Sequence, residues 1–188
     1  MRDDMSQAVD TAHVGAAVAD HEPARWRCTW TVTKRWGDDL SVEPYEVVEG
    51  AGNLLMYGGA SCIWECLIGN GTSSSGQNLT YFSSANAALG VGDSSTAEAA
   101  TQTDLQASSN KTRKSATVSH TDGTSSGSAT VTFTATFGTS DANYQWSEWI
   151  VGNSTTGGTG RILNRKVVAL GTKTSAASWQ LQVSISLS

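Results

Sequence analysis

Few residues in this chain are of types that could break or make bonds. His120 lies in Ser119-His120-Thr121-Asp122-Gly123, and a histidine among serines is the raw material of a Ser-His dyad. No Gly-x-Ser-x-Gly elbow accompanies it, and the surroundings read as a solvated hairpin tip. Glu148 stands between Trp146 and Trp149, as catalytic carboxylates do in some sugar hydrolases. Glycoside hydrolysis needs a second carboxylate about 5 to 9 Å away, and Asp141, nearest in sequence, falls on a turn. Gly90-Val91-Gly92-Asp93 lacks the third glycine of a dinucleotide fingerprint and the Lys-Ser/Thr end of a phosphate loop, so it reads as a strand-ending turn. Cys62 and Cys66 share a helical face, but His13, His21 and His120 are all distant and a zinc site needs about four ligands. With Cys28 they read as small packing residues of a reducing compartment. The residues point to no enzyme, cofactor or metal.

Seven tryptophans are the remaining chemical signal. In strands they build core, and when exposed they stack sugars or anchor subunit interfaces. Trp146 and Trp149 fall on opposite faces of one strand, so one of them is expected to leave the core of a single sheet layer.

The elements that would carry these residues are mostly strands. Residues 25–36 set Trp26, Cys28, Trp30, Val32 and Trp36 on one face, interrupted by Lys34, and Arg25, Arg27, Arg35 and threonines on the other. The arginine face is either a snorkelling, solvated edge or a surface for an acidic partner. Val42–Val48 pairs back, with Pro44 marking an edge. Ala60–Ile68 is the best helix, its apolar residues Ala60, Ile63, Trp64, Leu67 and Ile68 on one side; Gly58-Gly59 argues against an earlier start. Residues 96–107 suggest a second helical turn. Strands follow at 85–91, 129–137, 143–152, 161–170 and 177–188, the last alternating Trp179, Leu181, Val183 and Ile185 against Gln and Ser. Short strands between Gly/Ser/Thr turns predict an all-β, antiparallel, jelly-roll-like β-sandwich over 25–188, with one or two short helices and an extended N-terminal arm over 1–24.

Composition narrows the partners. Charged residues are 15% of the chain and Ser plus Thr about a quarter, which gives a neutral hydroxyl surface. The net charge of -5 belongs wholly to residues 1–50, and without clustered Lys and Arg a nucleic-acid partner is not expected. Neither a leader peptide nor a membrane span is read, so the chain is expected to be made in a cytosol, where the sequons at Asn70, Asn78, Asn110 and Asn153 carry no meaning. The arm is too polar to order itself and is expected to pin onto a neighbouring subunit.

Several runs resemble a family of tailed-bacteriophage virion structural proteins. They are Ala88–Ala97 (ALGVGDSSTA), Thr101–Ala107 (TQTDLQA), Ala135-Thr136-Phe137 with Asp141–Tyr144, and Trp146-Ser147-Glu148-Trp149. Leu163-Asn164-Arg165-Lys166, Leu170–Thr174 (LGTKT) and Trp179 complete the set. The resemblance covers residues 25–188; where a Gly is expected after Trp149, this chain has Ile150-Val151. It implies a non-enzymatic virion part: a capsid decoration (cement) protein first, a tail or fibre component second. The expected partners are the major capsid protein or other virion proteins, and further copies in a homo-oligomer. Arg25, Arg27, Arg35, Trp36 and Trp149 are the candidate interface residues. A carbohydrate-binding module, taking a host-surface glycan on two or more exposed coplanar tryptophans, is the alternative from another class.

Overall fold

A computed structural model describes residues 26–68, 81–125 and 128–187. Ten strands and one helix form an antiparallel β-sandwich. The strands are β1 (Trp26–Trp36), β2 (Glu46–Ala51), β3 (Leu54–Leu55), β4 (Ala88–Gly92) and β5 (Lys111–Ser115), then β6 (Thr117–Thr121), β7 (Thr130–Phe137), β8 (Gln145–Gly152), β9 (Ile162–Thr172) and β10 (Ala177–Leu187); α1 (Tyr57–Leu67) follows β3. One sheet has the order β2-β1-β10-β7-β6, the other β3-β9-β8-β4-β5. The chain changes sheet from β2 to β3 on one flank and at Ala116, between β5 and β6, on the other. The proposed arm at 1–24 and Arg25 lie outside the described residues.

The first sheet is half buried, as its period-2 pattern predicts. Trp30, Val32, Phe133, Phe137, Trp179, Leu181 and Val183 face the core. Its outer face is a hydroxyl carpet whose members bond across strands: Thr132 Oγ1 and Ser184 Oγ are 2.9 Å apart, and Gln180 Nε2 donates to Thr136 Oγ1 at 3.2 Å. Lys34, the one charge in the inward row of β1, is 3% exposed. Its ammonium donates to Leu170 O at 2.7 Å and Glu46 Oε2 at 2.8 Å, and sits 4.3 Å from the centroid of Trp179.

The second sheet is buried on both faces. Gly90 and Gly92 are part of β4 itself, not a turn ending it. A Cβ on Gly92 would stand 2.5 Å from Glu148 Oε1, and one on Gly90 2.8 Å from Ile150. The glycines leave room for a long segment, 93–110, laid across the outer face. That segment holds no helix, though its backbone closes one turn where Gln102 N donates to Ala99 O at 2.9 Å. Side chains take the backbone groups a helix would have used: Gln102 Oε1 accepts from Ala99 N, Gln102 Nε2 donates to Ala97 O, and Thr96 O accepts from Arg165. The described residues hold one helix.

Two expectations about faces change in three dimensions. The β8–β9 register shifts between Trp146 and Glu148, and such an irregularity reverses the alternation of faces. Trp146 and Trp149 therefore enter the same core, both with no exposed surface. Trp146 packs edge-on to Phe137 and Trp179, with centroids 4.9 Å away in each case, while Trp149 meets Trp30 at 6.4 Å. No turn follows Trp149; β8 continues through Ile150-Val151 to Gly152.

Helix α1 is turned the opposite way from its apolar pattern. It buries Gly59, Cys62 and Glu65. Tyr57, Ile63, Trp64, Leu67 and the following Ile68 are exposed, Leu67 by 72%. Two contacts dictate this orientation. Gly59 lies so close to β9 that a Cβ would be 2.6 Å from Leu163 Cα, and Glu65 Oε2 accepts from Arg161 Nη1 at 2.8 Å. The close backbone approach also explains why the helix runs through Gly58-Gly59 instead of starting after them.

Candidate interaction surfaces

The carboxylate singled out for acid–base work is fully committed. Arg165 Nε donates to Glu148 Oε2 at 2.8 Å; Gln106 N donates to the same oxygen at 3.0 Å and Ala107 N to Oε1 at 2.8 Å. Arg165 spends its other nitrogens on Gln102 Oε1 and Thr96 O, both at 2.9 Å. Glu98 Oε1 accepts from Val167 N, and Asp104 pairs with Arg113. The arrangement clamps segment 93–110 onto the sheet and leaves Glu148 facing no solvent. Asp141 pairs with Lys114 at 2.9 Å, away from Glu148's partners.

His120 is in β6, opposite Val131, rather than at the hairpin tip. It is exposed, with Asp122 Oδ1 3.7 Å from Nε2. Among the described residues no cluster of three or more His, Cys, Asp or Glu could hold a metal, and no helix is long and apolar enough to cross a membrane. Cys28 and Cys62 are buried and Cys66 is exposed. Burial pushes the Cys28 thiol up to about 12; Cys62 rises to about 11 through burial first and the neighbouring Cys66 second.

The four described members of the predicted interface separate. Trp149 is wholly interior, so it offers nothing to a partner. Arg27 is exposed on the hydroxyl face, beside Thr29, Thr130, Ser184 and Ser186. Arg35 turns back to its own chain, Nε donating to Val42 O at 2.9 Å. Trp36 is 57% exposed and stacks on Tyr45 with centroids 4.4 Å apart.

Around Trp36 and Tyr45 the exposed Leu40 and Val42 complete an apolar pole at one end of the sandwich. The loops beneath are tied together. Asp38 accepts from Thr139 N at 2.7 Å and Thr139 Oγ1 at 2.6 Å, and Lys173 Nζ donates to Gly138 O at 2.6 Å and Asn143 Oδ1 at 2.8 Å. The Thr139 bonds hold the Asp38 carboxyl below its ordinary range. Burial raises Asp141, but bonds from Lys114 and Gly138 N–H outweigh it and the net shift is downward. Burial lowers Lys173.

The second pole is at the opposite end. There Trp26, Phe82, Phe133, Leu163 and Ile185 line an apolar cavity of about 410 Å³, to which α1 contributes its outward-facing Ile63. β1 runs from one pole to the other, roughly 35 Å at about 3.4 Å per residue. Trp36 and Trp64, the two most exposed of the described tryptophans, are therefore too far apart to form one sugar platform. The sequence missed the second pole because apolar helical spacing normally marks the buried side.

No family model, curated protein or solved structure matches this chain.

Proposed function

We propose that this protein is a non-enzymatic structural protein whose poles bind other protein surfaces, and that its setting is the virion of a tailed bacteriophage, as a capsid decoration protein. The observation that carries the reading is the inverted helix. Tyr57, Trp64, Leu67 and Ile68 are 63 to 72% exposed, while the same helix spends its buried side on a glycine, a cysteine and an ion-paired glutamate. Exposed apolar patches of this kind mark interaction sites, and Trp and Tyr are frequent anchors in them. The Trp36–Tyr45 pole provides a second, separated contact, so one copy can bridge two partners, which is what a seam-stabilising protein must do. The virion setting comes from the sequence resemblance.

Particles of the phage encoding this chain should contain it. Shells freed of it should rebind the wild type and fail to rebind Trp64→Ser/Leu67→Ser, whose far-ultraviolet spectrum stays unchanged. Binding to purified tails and not to shells would replace decoration by the tail reading. Absence from the particle, or binding only to glycan, would overturn the proposal.

A further inference from the structure

Among the described residues, both sheets end in a charged strand with one unpaired side, on opposite flanks of the molecule. β2 closes the first sheet and β5 the second. β2 and its approach carry Glu43, Glu46 and Glu49 with no cation, whereas β5 reads Lys111-Thr112-Arg113-Lys114-Ser115 with no acid. Arg113 is turned inward to Asp104 and Ser154 O. Glu46, Glu49 and Lys111 are exposed, and Lys114 is partly so.

The backbone parity of each edge follows from the bonds at its end. Gly52 N donates to Cys28 O, and Ala116 N to Ala87 O. With the registers of β1–β2 and β4–β5, alternation directs the amides and carbonyls of Val47, Glu49 and Ala51 away from β1. Those of Lys111, Arg113 and Ser115 likewise point away from β4.

We infer that β2 of one copy pairs antiparallel with β5 of a second copy, Glu46 opposite Lys114, Val47 opposite Arg113, Val48 opposite Thr112 and Glu49 opposite Lys111. Outward groups then meet outward groups at Val47–Arg113 and Glu49–Lys111. The Lys111 N–H is held by Ser109 O at 2.9 Å, so the join uses both bonds of Val47–Arg113 and the Glu49 N–H to the Lys111 carbonyl. A slip of one residue would bring inward-directed groups across the join, and a slip of two would separate both charge pairs. Glu46 and Lys114 already have internal partners, Lys34 and Asp141, but their side chains remain 50% and 38% exposed.

The same charges disfavour the like assemblies. Two β2 edges would gather glutamates, and two β5 edges lysines, at one join with no opposite charge to offset them. The unlike pair sets opposite charges across the join. Since each copy carries one edge of each kind, the contact is head-to-tail and builds a ring or an open filament. It uses neither pole and does not depend on the virion setting.

Sedimentation velocity on the full chain at high micromolar concentration tests the pairing. The wild type should self-associate, less so at high salt. Glu49→Lys and Lys111→Glu, both exposed, should each weaken association roughly ten-fold or more. An equimolar mixture of the two variants should associate again, as should the double swap on one chain. Val47 and Arg113 amides should be protected from hydrogen exchange only in the assembled state. A monomeric wild type, variants that associate as the wild type does, or a mixture that fails to recover would overturn the inference. Shell rebinding, measured separately, reports on the poles and not on this edge.

Discussion

Arg165 Nε donates to Glu148 Oε2 at 2.8 Å, and neither side chain has exposed surface. The two residues come from neighbouring strands, Ile150 rather than Glu148 being directly opposite Arg165, and together they hold down a segment with no regular structure of its own. Breaking a buried pair leaves the surviving charge uncompensated. Glu148→Gln or Arg165→Met should each cost about 3 to 5 kcal/mol in urea unfolding. The double variant should cost less than the sum. Exchange at the Gln106 and Ala107 amides should rise first, since both donate to Glu148.

Adjacent glycines in α1 should respond with opposite signs. A Cβ at Gly58 would meet Arg161 Cβ at 3.7 Å, an ordinary contact, whereas one at Gly59 would meet Leu163 Cα and O at 2.6 Å. Gly58→Ala should stabilise by about 0.5 to 1 kcal/mol through helix propensity. Gly59→Ala should destabilise by about 1 to 3 kcal/mol, because backbone must move to admit the methyl group. Thermal unfolding of the pair checks both signs.

The three thiols should divide by burial. Cys66 should react with a thiol reagent in the native protein, while Cys28 and Cys62 react only on unfolding. Burial shields both and raises their pKa values to about 12 and about 11, which keeps them from the reactive thiolate form. Counting modified cysteines by mass with and without denaturant tests this.

The Trp36 pole should loosen in acid. Asp38 and Asp141 titrate below their ordinary range in the folded state. Their contribution is present above the unfolded carboxylate pKa and disappears as pH falls through the lower folded values. Asp38→Asn and Asp141→Asn should each give a shallower loss of stability below about pH 4. Thr139→Val removes the hydroxyl bond to Asp38 and keeps the backbone one, so it should reproduce part of the effect of the first. Urea midpoints across the acid range provide the measurement.

Much of the fold is legible in the chain because a half-buried strand writes its environment as alternation. β1, β7 and β10 each bury one face, and their Trp, Phe, Val and Leu positions identify that face directly. The hydroxyls of Thr132, Thr136 and Ser184 occupy the outward side, as the pattern implies. β5 and β6 were harder to see, since edge strands bury little and their Lys, Thr and Ser carry no apolar period. The second sheet gave a mixed signal, with both faces covered, one by a segment that contains only Leu105 and Ala107 as buried apolar residues.

Local pattern alone determined the class: an antiparallel sandwich with a hydroxyl exterior. Tertiary structure decided the burial of the two indoles in β8, the orientation of α1 and the fate of Glu148. An irregularity in the β8–β9 ladder reverses parity, and no residue type announces it. A helix turns toward the contacts that hold it, and here a glycine against Leu163 and an ion pair to Arg161 outweighed a Trp-Leu-Ile face. Glu148 and Arg165 are 17 residues apart, and their pairing exists only after β8 and β9 come into register. Periodicity reports how one element averages over its own neighbours, and each of these outcomes depended on residues far away in the chain.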